Sequence, residues 1–152
     1  MSAQKLNLLV VQGANMARLG KRNPQNYGRT SASELNEMLM QHAQEQGFNL
    51  EIFYTHIEGE AIARIYDAED AGCDGLIMNP AGFLYAGYAL RDCIREVKFP
   101  YIEVHVRNSA GLGSKSITAE ASSGYMCGFG IDTYFHALNA MVKLIERRRA
   151  EA

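Results

Sequence analysis

"LNLLVVQG" (residues 6–13) is a short apolar run closed by glycine, and it decides the fold. No polar residue interrupts it between Leu8 and Val11, so the alternation of a strand with one wet face is missing. Such a run is expected of a strand buried on both faces, which requires helices on both sides of its sheet.

The chain that follows alternates in the way this demands. "SASELNEMLMQHAQEQG" (31–47) opens on serine, places Leu35, Met38, Leu39 and His42 near helical spacing, and stops at Gly47. "NLEIFYTH" (49–56) reads as a second strand. "GEAIARIYDAEDAG" (59–72) reads as a helix with Ile62, Ile65 and Tyr66 on one side. "CDGLIMNP" (73–80) is a third strand, ended by Pro80 because proline cannot continue a central ladder. "GYALRDCIREVK" (87–98) is helical and "PYIEVHV" (100–106) is a fourth strand. After an irregular Gly/Ser stretch come "SGYMCGFG" (123–130), a short fifth strand, and "IDTYFHALNAMVKLIERRR" (131–149), the closing helix. Strands alternating with helices predict an α/β, three-layer fold: a five-stranded parallel sheet in flavodoxin-like order. Residues 1–152 are expected to form a single domain, with no internal repeat or linker.

Bulk properties narrow the function. Of 152 residues, 47% are apolar and 21% charged, with a net charge of −2, as in an ordinary soluble globular protein. That balance gives no electrostatic reason to expect nucleic acid or an anionic membrane as partner. The basic run Arg147, Arg148, Arg149 ends a helix, where cations suit the macrodipole. Cys73, Cys93 and Cys127 are odd in number and widely spaced, which points to neither a disulfide framework nor a zinc site. No apolar stretch approaches a membrane span and the first residues show no signal-peptide pattern, so a cytoplasmic location is expected.

In an open parallel sheet, ligands gather beyond the carboxyl ends of the strands. This chain concentrates polar residues there: Gln12 and Asn15, then His56 and Glu58, then Asn79, then Glu103, His105, Arg107 and Asn108. Glu103 and His105 are two apart on one strand and share a face. Between the first strand and first helix lies "KRNPQNYGRT" (21–30), a polar loop carrying a fixed cation, Arg22, and a phenol, Tyr27. It reads either as a solvated connector or as a lid that delivers a base with its activator. Gly20 and Gly28 bracket it as hinges.

These residues also carry a resemblance. "QGANMARLGKRNPQNYG" is similar to the pattern N-G-P-N-L-N-x-L-G-x-R-x-P-x-x-Y-G of the type II 3-dehydroquinate dehydratases. "EGE", "NPAGF" followed by "ALRD", "EVH" and "CGFG" follow in that family's order and spacing. The resemblance implies a trans-type dehydration of 3-dehydroquinate to 3-dehydroshikimate, without metal, cofactor or Schiff base. That reaction serves aromatic amino acid biosynthesis or quinate catabolism. Tyr27 matches the family's base, Arg22 the cation that activates it, and His105 the general acid. An ordinary tyrosine, titrating near ~10, is a poor base at neutral pH, and a guanidinium within about 4–6 Å favours its phenolate. Glu103 is placed to orient the imidazole. Asn15 matches a residue that holds the water or the enolate oxygen, and Asn79 one that binds the ring. Backbone N–H groups of Val106 and Arg107 map to the carboxylate site. Asp92 matches an acid that completes a neighbouring subunit's site, in a dodecamer built of trimers; on its own it also reads as a helix acid paired with Arg95.

Two positions depart from the pattern. Tyr85 stands where the family has histidine, and the segment after "EVH" is shortened and has no arginine beyond Arg107. A lysine at 115 does not reproduce a guanidinium fork. A retained elimination core beside a rewritten specificity loop leaves a second reading, a paralogue that dehydrates a different cyclic β-hydroxy carbonyl compound. A flavin or nucleotide module of the same fold is disfavoured, because the first strand–helix junction lacks a phosphate cradle.

Overall fold

The structure, a computed structural model, describes residues 4–152. Five strands form one parallel sheet: β1 (Asn7–Ala14), β2 (Asn49–Tyr54), β3 (Gly75–Ala81), β4 (Tyr101–His105) and β5 (Gly124–Cys127). Their order is β2-β1-β3-β4-β5, as expected for the flavodoxin-like arrangement. The alternation inside β1 explains the layering. Leu8 and Val10 pack under α2 (Ala32–Gln46) and α5 (Asp132–Glu151), against Leu35, Leu39, Leu138 and Met141. Leu9 and Val11 face the other way, toward α3 (Glu58–Asp70) and α4 (Tyr88–Glu96), where Ile65, Leu90 and Ile94 cover them. One unbroken apolar run thus supplies two cores, each of which removes whole side chains from water at about 1.5–3 kcal/mol apiece.

Local chemistry sets the helix ends. Ser31 caps α2: its Oγ accepts from the Glu34 N–H at 3.0 Å and donates to the Glu34 carboxylate at 3.0 Å. Two residues assigned to buried helix faces lie outside them, since Met38 and Tyr66 are each 40% exposed. Ala43 and Ala68 occupy the buried turns instead, because close helix–sheet packing favours small residues there. The basic end of α5 is tied down by Arg149, which donates to Asp74 Oδ1 at 2.7 Å.

Pro80 does not end β3. The strand runs through it to Ala81, paired with Ala14 of β1, while pairing to β4 stops at Met78 opposite Glu103. Proline is tolerated where one neighbour has already withdrawn from the ladder. The strand then leaves through Ala81, whose φ of 46° is a left-handed conformation that a β-carbon resists. Its N–H is held by Asn79 Oδ1 at 3.0 Å.

The loop 21–30 is also more ordered than its composition implies. Pro24–Tyr27 form a helical turn, α1, with Asn23 as its cap and proline in its first turn. Gly20, at φ +87°, packs so closely that an added Cβ would lie 2.8 Å from Ser31 Cα, so the loop's first bracket needs glycine.

Candidate active site

The helical turn α1 carries Tyr27, and Arg22, two residues before its first residue, meets that phenol within one short segment. Arg22 lies over the Tyr27 ring, its Cζ 4.0 Å from the centroid, and Nη2 donates to the phenolic oxygen at 3.2 Å. The cation is therefore aimed at the atom on which negative charge would form.

β4 supplies the second pair. His105 Nε2 and Glu103 Oε2 are 2.7 Å apart, and both side chains are buried. The other oxygen, Glu103 Oε1, accepts from Tyr101 Oη at 2.7 Å and from Thr118 Oγ1 at 2.5 Å. Burial alone would push this carboxyl up. Hydrogen bonds from His105, Thr118 and Tyr101 outweigh it and hold the group below its ordinary value. An ionised Glu103 accepts a hydrogen bond from Nε2–H, which leaves Nδ1 for the cleft.

β3 supplies Asn79, whose amide is anchored at both ends. Its Oδ1 accepts from Ala81, and its Nδ2 donates to Tyr134 Oη at 3.0 Å. Tyr134 in turn donates to Gln12 Oε1 at 2.6 Å. Burial pushes the Tyr134 phenol far up, so it serves as a neutral relay. One hydrogen on Asn79 Nδ2 remains for a ligand.

These groups border a cleft of about 150 Å³ at the carboxyl end of the sheet. Asn15, Arg22, Tyr27, Asn79, Tyr85, His105, Val106 and Arg107 all line it, and Glu103 stands directly behind His105. Asn15, in a left-handed conformation, donates its N–H to His56 Nδ1 at 2.9 Å. Tyr85 is 65% exposed, a rim residue rather than a wall. Asp92 is not in this cleft. It lies on the outer surface of α4, beside Arg91 at 3.2 Å and Arg95 at 3.9 Å. A larger groove of about 1220 Å³ sits at the amino ends of β1 and β2, and no candidate residue borders it. Size does not locate the chemistry here; the convergence of polar groups does.

Among the described residues, the cleft wall has two guanidiniums, an imidazole and no carboxylate, which suits an anionic ligand. No group of three His, Cys, Asp or Glu among those residues is arranged to hold a metal ion. Nor is any helix among them long and apolar enough to cross a membrane.

Residues 6–142 match the family described as Dehydroquinase class II. The chain belongs to this family. It is 37% identical over 141 residues to a 3-dehydroquinate dehydratase of Cellvibrio japonicus, covering 91% of this chain and 95% of that one. The type II dehydroquinase of Butyrivibrio crossotus superposes with a TM-score of 0.88 at 28% identity, covering 90% and 97% of the two chains. That of Propionibacterium acnes gives 0.84 at 29% identity, covering 95% and 99%.

In this class II dehydroquinase chain, the segment after His105 closes one side of the cleft. It folds into two 3-10 turns, Ser109–Leu112 and Thr118–Ala121; the first adds Leu112 to the cleft wall and the second adds Thr118 behind it. Four supporting residues escaped the sequence reading: Tyr101, Thr118, Tyr134 and the acceptor role of Gln12. Tyr101 was legible, since it precedes Glu103 by two on the same strand. Thr118 and Tyr134 carry no local signal, because they lie 15 and 55 residues from the groups they support.

Proposed function

We propose that this protein dehydrates 3-dehydroquinate to 3-dehydroshikimate. The observation that carries the proposal is that an Arg22–Tyr27 pair and a Glu103–His105 pair face one carboxylate-free cleft. Tyr27, as phenolate stabilised by Arg22, takes the proton beside the ketone, and the C–H electron pair becomes an enolate. Asn15 holds the water or enolate oxygen as charge develops there. The enolate then collapses, the bond to the β-hydroxyl breaks, and His105 gives that oxygen its proton so that it leaves as water. To close the cycle, Tyr27 releases its proton to solvent and His105 takes one from solvent.

Asn79 orients the ring. Val106 and Arg107 hold the carboxylate through backbone N–H groups, and the Arg107 guanidinium lies on the same cleft wall. Tyr85 at the rim takes the place of a histidine that recognises ring hydroxyls. Asp92 is exposed and lies outside its own cleft, which supports a role for it in a neighbouring subunit's site of a dodecamer of trimers. Light scattering tests that assembly, and a monomer in solution would remove the role of Asp92.

Incubation with 3-dehydroquinate, followed by the absorbance of the conjugated enone, tests the reaction. Saturable turnover is expected, with Tyr27→Phe lowering kcat by about 100-fold or more. Absence of turnover above background would overturn the assignment.

A further inference from the structure

Glu103 is fully enclosed, and an enclosed carboxylate stays ionised only if its lone pairs are met. One oxygen is met by His105. The other receives two hydroxyl donors that no part of the elimination chemistry calls for, Tyr101 at 2.7 Å and Thr118 at 2.5 Å. Thr118 is itself held. Ser116 Oγ lies 3.2 Å from its hydroxyl, Ile117 N–H donates to Leu84 O at 2.9 Å, and Gly87 leaves room for the Thr118 methyl. The second 3-10 turn is thus pinned to the cleft floor at the residue that touches Glu103.

We infer that Tyr101 and Thr118 are positioning residues for the proton donor: their hydroxyls lock the Glu103 carboxylate, which fixes the His105 ring with Nε2 inward and Nδ1 toward the cleft. The inference rests on the proton-donor role given to His105 above. The Glu103–His105 pair carries one mobile proton in its working state. With carboxylate and imidazolium as the pair, that proton is available from the ring. With carboxylic acid and neutral imidazole, the ring is a poor donor. Hydrogen bonds to the carboxylate favour the first arrangement, so each hydroxyl removed favours the second.

Other ionisable groups around Glu103 are few. Its own strand gives Tyr101 and His105, and β5 gives Tyr125, its partner in register, whose phenol bonds Ser109. The opposite residue in β3, Met78, is apolar. On α4 and the turn beyond it, Arg91 and Arg95 each pair with Asp92 and Glu120 on the outer surface.

The test is a carbon-13 titration of the Glu103 carboxyl in the intact protein, which needs no turnover. Thr118→Val is nearly isosteric, and Tyr101→Phe removes the second donor from another element. In each, the Glu103 midpoint is expected to rise by about one pH unit, while Thr118→Ser keeps the parent value. Midpoints unmoved in both variants would overturn the inference. With 3-dehydroquinate as substrate, the low-pH limb of kcat should move up by the same amount. A loss of kcat equal at every pH would mark the two residues as merely structural and also overturn it. If the parent protein turns over no 3-dehydroquinate, the proposed function fails, and the carboxyl titration still decides this inference.

Discussion

At the scale of single residues, the cleft separates chemistry from recognition. Arg22 is committed to Tyr27 by a stacked contact and a hydrogen bond, so it belongs to the base. Arg107 lines the same cleft and forms no ion pair among the described residues, so its charge is available to a substrate anion. A contact present equally in ground and transition states changes KM and leaves kcat. Arg107→Gln is therefore expected to raise KM about tenfold or more with kcat nearly unchanged, and to weaken the salt dependence of kcat/KM. Steady-state kinetics at two ionic strengths check this; a fall in kcat alone would place Arg107 in the chemistry instead.

At the scale of elements, neighbouring strands and helices hold one another's functional groups. Asn79 of β3 is fixed by Tyr134 of α5, which is fixed by Gln12 of β1. Tyr134→Phe removes the phenol and leaves two buried polar groups without it. A cost of about 1–3 kcal/mol is expected, read as a Tm lower by about 3–10 °C. Because the Asn79 amide is then free to turn, kcat/KM should also fall. Unchanged melting would mean that water replaces the phenol. α1 shows the same logic within a single segment. Asn23 and Pro24 start a helical turn, and that turn sets the separation of Arg22 from Tyr27.

At the scale of the whole molecule, buried ionisable groups set a pH range of stability. The Glu103 carboxyl lies below its ordinary 4.5 in the fold. Its contribution is therefore complete above about 4.5 and is lost as pH falls through the lower folded value. The phenols run the other way. Burial pushes Tyr54 up to about 12, its hydroxyl donating to Asn36 Oδ1, and pushes Tyr101 and Tyr134 up as well. Their contribution is complete below about 10 and is lost as pH rises toward and beyond 12. Urea unfolding across pH should give a plateau that falls below 4.5 and again above 10. A midpoint that keeps rising above pH 10 would contradict the burial of these phenols.

The five strands, the layer of helices on each face and their order were all legible in the sequence. Apolar runs, serine caps and glycine stops act over a few residues, and apolar strands alternating with long helices point to a parallel sheet covered on both faces. Glu103 and His105 were legible as neighbours because they share one strand face. Arg22 and Tyr27 stand out only by their match to the family's motif, since composition alone leaves their loop a connector or a lid. What the tertiary structure alone decided is what stands behind them. Thr118 reaches Glu103, Tyr134 bridges Asn79 to Gln12, and Asp92 faces away from its own cleft. Those contacts join distant segments across the sheet, and no local pattern encodes a hydrogen bond whose partner arrives only when the layers close.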